Sequence, residues 1–284
     1  MGDKASVKRL DVNNGGLETL DIGEYVNLEE LYCWNNRLTS LDVSKCANLK
    51  ALYCDRNHLT ALDVSKCVNL EVLSCNNNQL EELDVSECVN LTVLDCDRNH
   101  LTALDVSKCV NLKWLFCDGN QLTALDLGEY VNLVELYCRV NQLKELDVSK
   151  CANLKVLHCY NNQLKELDVS KCVNMGVFNC DGNDICKLDI RGLKNLRYVS
   201  IRESPFLAEL LVDEGQEMDI KLQKGKRVGV RESQTMLESG RAIQKRAAKR
   251  VQWWTTEASY RPGGNGYMNS LESFEKRIKT GFKQ

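Results

Sequence analysis

The sequence predicts an α/β-type repeat solenoid. Three observations carry that reading: one unit of 21 residues recurs without insertion, its apolar residues keep the same places, and no unit can bury them alone. From Leu28 the chain reads LEELYCWNNRLTSLDVSKCAN, from Leu49 LKALYCDRNHLTALDVSKCVN and from Leu70 LEVLSCNNNQLEELDVSECVN. The unit restarts at Leu91, Leu112, Leu133, Leu154 and, more loosely, Met175. Residues 7–27 are a degraded first copy and residues 196–211 a degraded last one, about ten units in all.

Alternation within LKALYC turns Leu49, Leu52 and Cys54 inward and leaves Lys50, Ala51, Tyr53, Asp55 and Arg56 available to solvent. Strands of successive units stack about 4.7–4.9 Å apart, so equivalent residues form columns. Asn36, Asn57, Asn78, Asn99, Asn120, Asn141, Asn162 and Asn183 form one such column. As turn residues they are placed to satisfy buried backbone groups of the adjoining unit.

The L-x-x-L-x-L/C-x-x-N-x-L half of the unit resembles the leucine-rich repeat family. The remaining L-x-x-L-D-V-S-x-C resembles its short bacterial, cysteine-containing subclass of 21-residue IRREKO repeats. This resemblance covers roughly residues 7–211. It implies a right-handed horseshoe with a parallel sheet on the concave side and a mostly irregular convex side. It implies a scaffold and no particular activity.

Composition agrees. Of 284 residues 43% are hydrophobic, ample for a core and too many for global disorder. No stretch approaches the roughly 18 apolar residues that cross a bilayer. The start, MGDKASVKRLDVNN, has no apolar secretory core, so a reducing cytoplasm is the expected compartment. Export by a route without a cleaved signal, as for a host-directed effector, stays open. Residues 1–6 fit the minimal myristoylation pattern, although Asp3 disfavours it.

Residues that resemble chemistry have structural readings. Cys33, Cys54, Cys75, Cys96, Cys117, Cys138, Cys159 and Cys180 end the strands, and Cys46, Cys67, Cys88, Cys109, Cys151 and Cys172 close the units. Their spacing alternates 13 and 8, unlike a zinc motif, and buried thiol filler is expected. Asp21, Asp42, Asp63, Asp84, Asp105, Asp126, Asp147, Asp168 and Asp189 form a column that either binds calcium or accepts backbone N–H bonds in Asp-x-Ser turns; the turn is favoured. His58 and His100 fill a polar surface slot, and no histidine joins a nucleophile. No catalytic residue, metal site or cofactor is expected.

The variable strand positions point to a partner. Tyr32, Trp34 and Tyr53 form one aromatic cluster, and Trp114, Phe116, Tyr137, His158 and Tyr160 a second. Between them lies a polar patch containing Ser74, Asn76, Asn77, Asp95, Asp97 and Arg98. Tyr, Trp and Arg dominate interface hot spots, so Trp34, Trp114, Phe116 and Tyr137 are candidate anchors, with Arg56, Arg98 and Arg139 as polar contacts. The expectation is a monomeric, non-enzymatic scaffold binding a protein on this face.

Charge divides the chain. Residues 1–220 carry 22 basic and 35 acidic side chains, and residues 221–284 carry 15 and 5. The domains are accordingly read as a solenoid, 1–211, and a cap with a basic tail, 212–284. A short hairpin is expected in LAELLVDEGQEMDIKLQKG and a helix over 233–258 bearing Arg241, Lys245, Arg246, Lys249 and Arg250. A second short helix is read in MNSLESFEKRIKTGF. Three readings stand for the tail: docking on the acidic solenoid, contact with nucleic acid, or contact with an anionic membrane.

Overall fold

The computed structural model describes residues 3–127, 132–214, 218–223, 229–232 and 251–254. Each unit contributes a three-residue strand. These are β1 (Arg9–Asp11), β2 (Glu30–Tyr32), β3 (Ala51–Tyr53), β4 (Val72–Ser74), β5 (Val93–Asp95), β6 (Trp114–Phe116), β7 (Glu135–Tyr137), β8 (Val156–His158) and β9 (Val177–Asn179). All pair in parallel with a constant offset of 21 residues, as in Leu31 beside Leu52 and Leu94 beside Leu115. The central residue of each strand from β2 to β9 is buried. Around it the leucine columns and both cysteine columns form one continuous core.

Three ladders tie each turn to its neighbours. In the first, every column asparagine accepts from a leucine N–H of the preceding turn and donates to two strand-ending carbonyls. For Asn99 the partners are Leu80 N at 3.0 Å, Cys75 O at 3.1 Å and Cys96 O at 3.1 Å. The expected structural role holds, and the adjoining turn it serves is the preceding one. The second ladder lies outside the core, where Asn69, Asn90, Asn111 and Asn174 donate to the carbonyl 22 residues earlier. A row of exposed valines, Val26, Val68, Val89, Val110 and Val173, runs beside it. The third ladder belongs to the site described below.

The Asp-x-Ser turns form as expected. Asp42, Asp63, Asp84, Asp105, Asp147 and Asp168 each accept the N–H of the serine two residues on, at 2.8–2.9 Å. Those bonds hold the carboxyls below their ordinary range.

One backbone position per turn is left-handed: residues 14, 35, 56, 77, 98, 119, 140, 161, 182 and 203, with φ between 52° and 63°. Asparagine or glycine occupies six of these places, as steric cost dictates. Val140, β-branched at φ 55°, is the most strained. Val140→Gly is therefore expected to stabilise the chain by about 1 kcal/mol, read as a higher denaturation midpoint. Gly119→Val should move it the other way.

The C-terminal part differs from the expected hairpin. β10 (Lys187–Asp189), β12 (Glu209–Val212) and β14 (Gly229–Glu232) form a separate three-stranded parallel sheet. β11 (Tyr198–Ile201) and β13 (Asp219–Gln223) continue the long sheet. β12 and β13 thus belong to different sheets, because the repeat period persists: Val199 pairs with Ile220 and Leu188 with Leu210. The helix expected over 233–258 is also corrected at its end, where β15 (Val251–Trp254) is the twelfth strand of the long sheet. Its Val, Trp and Trp favour extended backbone. Arg241, Lys245, Arg246, Lys249, Arg250 and the second expected helix lie outside the described residues. By internal contacts the chain forms one unit over Met1–Trp253 and another over Trp254–Gln284.

Candidate binding face

Two columns decorate the concave side of the long sheet. The last strand residue runs Tyr32, Tyr53, Ser74, Asp95, Phe116, Tyr137, His158 and Asn179. The residue after the strand-ending cysteine runs Trp34, Asp55, Asn76, Asp97, Asp118, Arg139, Tyr160 and Asp181.

The aromatic residues fall into the two expected clusters, but they do not stand alone on an open sheet. Parallel register stacks the rings along the solenoid axis. Tyr32 and Tyr53 lie 4.8 Å apart at 9°. Phe116, Tyr137 and His158 follow at 5.0 Å and 4.8 Å, and Tyr160 meets His158 edge-on at 6.5 Å. All are half-buried, as are Trp34 and Trp114. Burial, and then the nearby Arg139, push the His158 imidazole down to about 4. His158 is thus neutral at physiological pH and sits in the stack as a ring. Arg139 donates to the Tyr160 hydroxyl at 3.0 Å, lies over that ring, and ion-pairs with Asp118.

The polar patch between the clusters is a floor. Ser74, Asn76, Asp95 and Asp97 are buried, as are Asp55 and Asp118. Sequence alternation put Asp55 in solvent; the structure corrects this. The chain turns immediately after the cysteine, at left-handed Arg56, and the Asp55 side chain folds back along the sheet. There it accepts Asn76 N at 3.1 Å and the Ser74 hydroxyl. The same third ladder recurs: Asp97 accepts Asp118 N at 2.6 Å, Asp118 accepts Arg139 N at 2.7 Å and Asp181 accepts Arg202 N at 2.5 Å. Asn76 Nδ2 donates to Asp95 at 2.7 Å. Burial raises the Asp55 carboxyl to about 6, and burial with the neighbouring Asp97 raises Asp95 strongly.

Arg56 and Arg98 occupy left-handed turn positions at the rim, Arg56 half-buried and Arg98 exposed. His58 and His100 are exposed, as their polar slot implied. The six-residue acid floor escaped the sequence reading. Its signal was an Asp or Asn directly after the strand cysteine in four consecutive units, Asp55 to Asp118.

Fourteen cysteines are buried free thiols, and burial pushes Cys33, Cys67, Cys88 and Cys172 up to about 12. Several donate weakly to carbonyls of adjoining turns, Cys96 to Phe116 O at 3.4 Å among them. They pack and bond as filler does.

The profile of the leucine-rich repeat family, in its two-copy form, matches residues 26–67, 68–109 and 131–172. The functional domain of InlJ from Listeria monocytogenes, whose structure includes a cysteine ladder, superposes with a TM-score of 0.60 at 30% identity. The chain is a leucine-rich repeat protein. Its strand-ending cysteine column is consistent with the ladder of InlJ. That match covers 76% of this leucine-rich repeat chain and 55% of the InlJ chain, so the chain spans just over half of that relative. A leucine-rich repeat protein of Leptospira interrogans aligns at 22% identity and a TM-score of 0.55, covering 82% of this chain and 74% of that one. The ectodomain of the Arabidopsis thaliana receptor kinase GASSHO1/SCHENGEN3 aligns at 20% identity and a TM-score of 0.61, covering 74% and 31%. These two establish the fold alone. No curated protein sequence matches the chain. Leucine-rich repeat solenoids in general are scaffolds for protein–protein interaction, their extended concave surfaces serving as the binding faces.

Proposed function

We propose that the concave face binds a protein partner through its two ring stacks, with Trp34, Trp114, Phe116 and Tyr137 as anchors and Arg56, Arg98 and Arg139 as surrounding polar contacts. The observation that carries the reading is the placing of Tyr32–Tyr53 and Phe116–Tyr137–His158 on one face, half-exposed, with a polar floor between them. Stacked rings have already lost rotamer freedom, so docking on them costs little further ordering. GASSHO1/SCHENGEN3 was solved with CASPARIAN STRIP INTEGRITY FACTOR 2, an instance of the same fold holding a partner.

Affinity capture from lysate of the source cell, after nuclease treatment, tests this. The bait is the full chain beside a Trp114→Ser/Tyr137→Ser variant of unchanged circular dichroism. A protein retained by the first and weakened at least about tenfold by the second supports the reading. Capture indifferent to the two substitutions overturns it.

A further inference from the structure

The first turn of the solenoid leaves one end of the core half covered. Leu28, Leu31, Cys33 and Leu38 of the second turn are fully buried, whereas Val7, Leu10, Val12 and Leu17, in the same columns of the first, are only partly so. β1 is the terminal strand of the long sheet, and among the described residues no strand pairs with its other side. Glu30 N donates to Lys8 O at 2.9 Å and Val12 N to Tyr32 O at 2.8 Å, so residues 8, 10 and 12 turn their backbone groups toward β2. By strand alternation the N–H and C=O groups of Arg9 and Asp11 point outward.

Arg9 and Asp11 flank Leu10 on the same face, both exposed. A two-fold axis through Leu10 would set β1 antiparallel to its own copy. Arg9 then stands opposite Asp11 of the second chain at both ends of the contact. These are the outward-pointing residues, so each such pair exchanges two backbone hydrogen bonds, while Leu10 meets Leu10 in the close, non-bonded pair. The backbone pattern, the charge pattern and the apolar residue share one symmetry centre, as an isologous interface requires. We propose that β1 is a self-association edge, through which two copies join their long sheets and cover the open ends of their cores.

The occupant is a second copy because the pairing needs opposite charges at positions 9 and 11 in mirror order, which this strand supplies to itself. Arg9 also pairs with Glu30 at 3.4 Å and lies over the Tyr32 ring at 4.5 Å, so its side chain is already held on the concave side where Asp11 of the copy would arrive.

Sedimentation equilibrium of the full chain over a range of concentrations reads the association. Wild type is expected to dimerise. Arg9→Asp and Asp11→Arg are each expected to weaken dimerisation about tenfold or more, because symmetry makes both pairs repulsive. Mixing these two variants, or combining both substitutions in one chain, is expected to restore it. A wild type that stays monomeric at its solubility limit overturns the proposal. So do single variants that dimerise like wild type, or a mixture that fails to associate.

Discussion

Replacing Asn99 by alanine is expected to lower the stability of the solenoid by about 3 kcal/mol or more. The side chain is buried and makes three good hydrogen bonds, accepting from Leu80 N and donating to Cys75 O and Cys96 O. Truncation strands the Leu80 N–H and withdraws a donor from two carbonyls, and each buried unsatisfied group costs about 1–3 kcal/mol. Water cannot enter to replace it, because the site is walled by Leu101 and the cysteines of two strands, all fully buried. The neighbouring His100, exposed, is the control: His100→Ala should change stability by less than about 0.5 kcal/mol. Asn99→Asp separates the two functions of the amide, since it keeps the acceptor for Leu80 and loses the donors. Urea denaturation of the three variants checks this. A loss below about 1 kcal/mol for Asn99→Ala would show that the ladder does not couple adjacent turns.

The second large effect concerns pH. Asp55 is held at about 6 against an ordinary carboxyl near 3.8, so between those values the folded chain binds a proton that the unfolded chain has released. Stability from this group is therefore full below pH ~4 and is lost as pH rises through about 6, a change of about 3 kcal/mol. Asp95 acts in the same direction. The exposed turn carboxyls of Asp63, Asp84, Asp105 and Asp147 act oppositely, since their lowered values make them stabilise the fold above pH ~4 and fail below it. The two sets together place maximum stability on the acid side of neutrality. Asp55→Asn is expected to keep the bonds to Asn76 N and Ser74 and to remove most of the decline between pH 4 and 7. Thermal melting of wild type and variant at half-unit pH steps measures it. Parallel curves for the two proteins would refute the assignment.

Much of this molecule was legible because its residues repeat where its physics repeats. Leu49, Leu52 and Cys54 alternate inward, Asn57 recurs at the turn, and Asp63 sits two residues before Ser65; each role follows from local spacing. Asp55 was misread because alternation was carried one residue too far, past the point where left-handed Arg56 ends the strand. The stacking of Tyr32 on Tyr53 is a relation between turns, visible only once the register is known. The hairpin expectation failed at the opposite extreme. Cys and Asn mark the period as far as residue 186, and beyond it Leu210 and Ile220 keep the spacing without the markers. The same loss of markers hid the extended backbone of Val251–Trp254 inside an amphipathic pattern.

The constant 21-residue offset makes the concave face a ruler. Tyr53 and Phe116 stand on strands three steps apart, a separation of about 14 Å at ordinary strand spacing. An extended segment covers that span in about four residues. Adding or deleting one whole unit between β3 and β6 would reset the distance by about 4.8 Å while leaving every ladder bond a partner of the same kind. Specificity for the distance between two contact groups is thus written in the number of turns, and changes in whole increments.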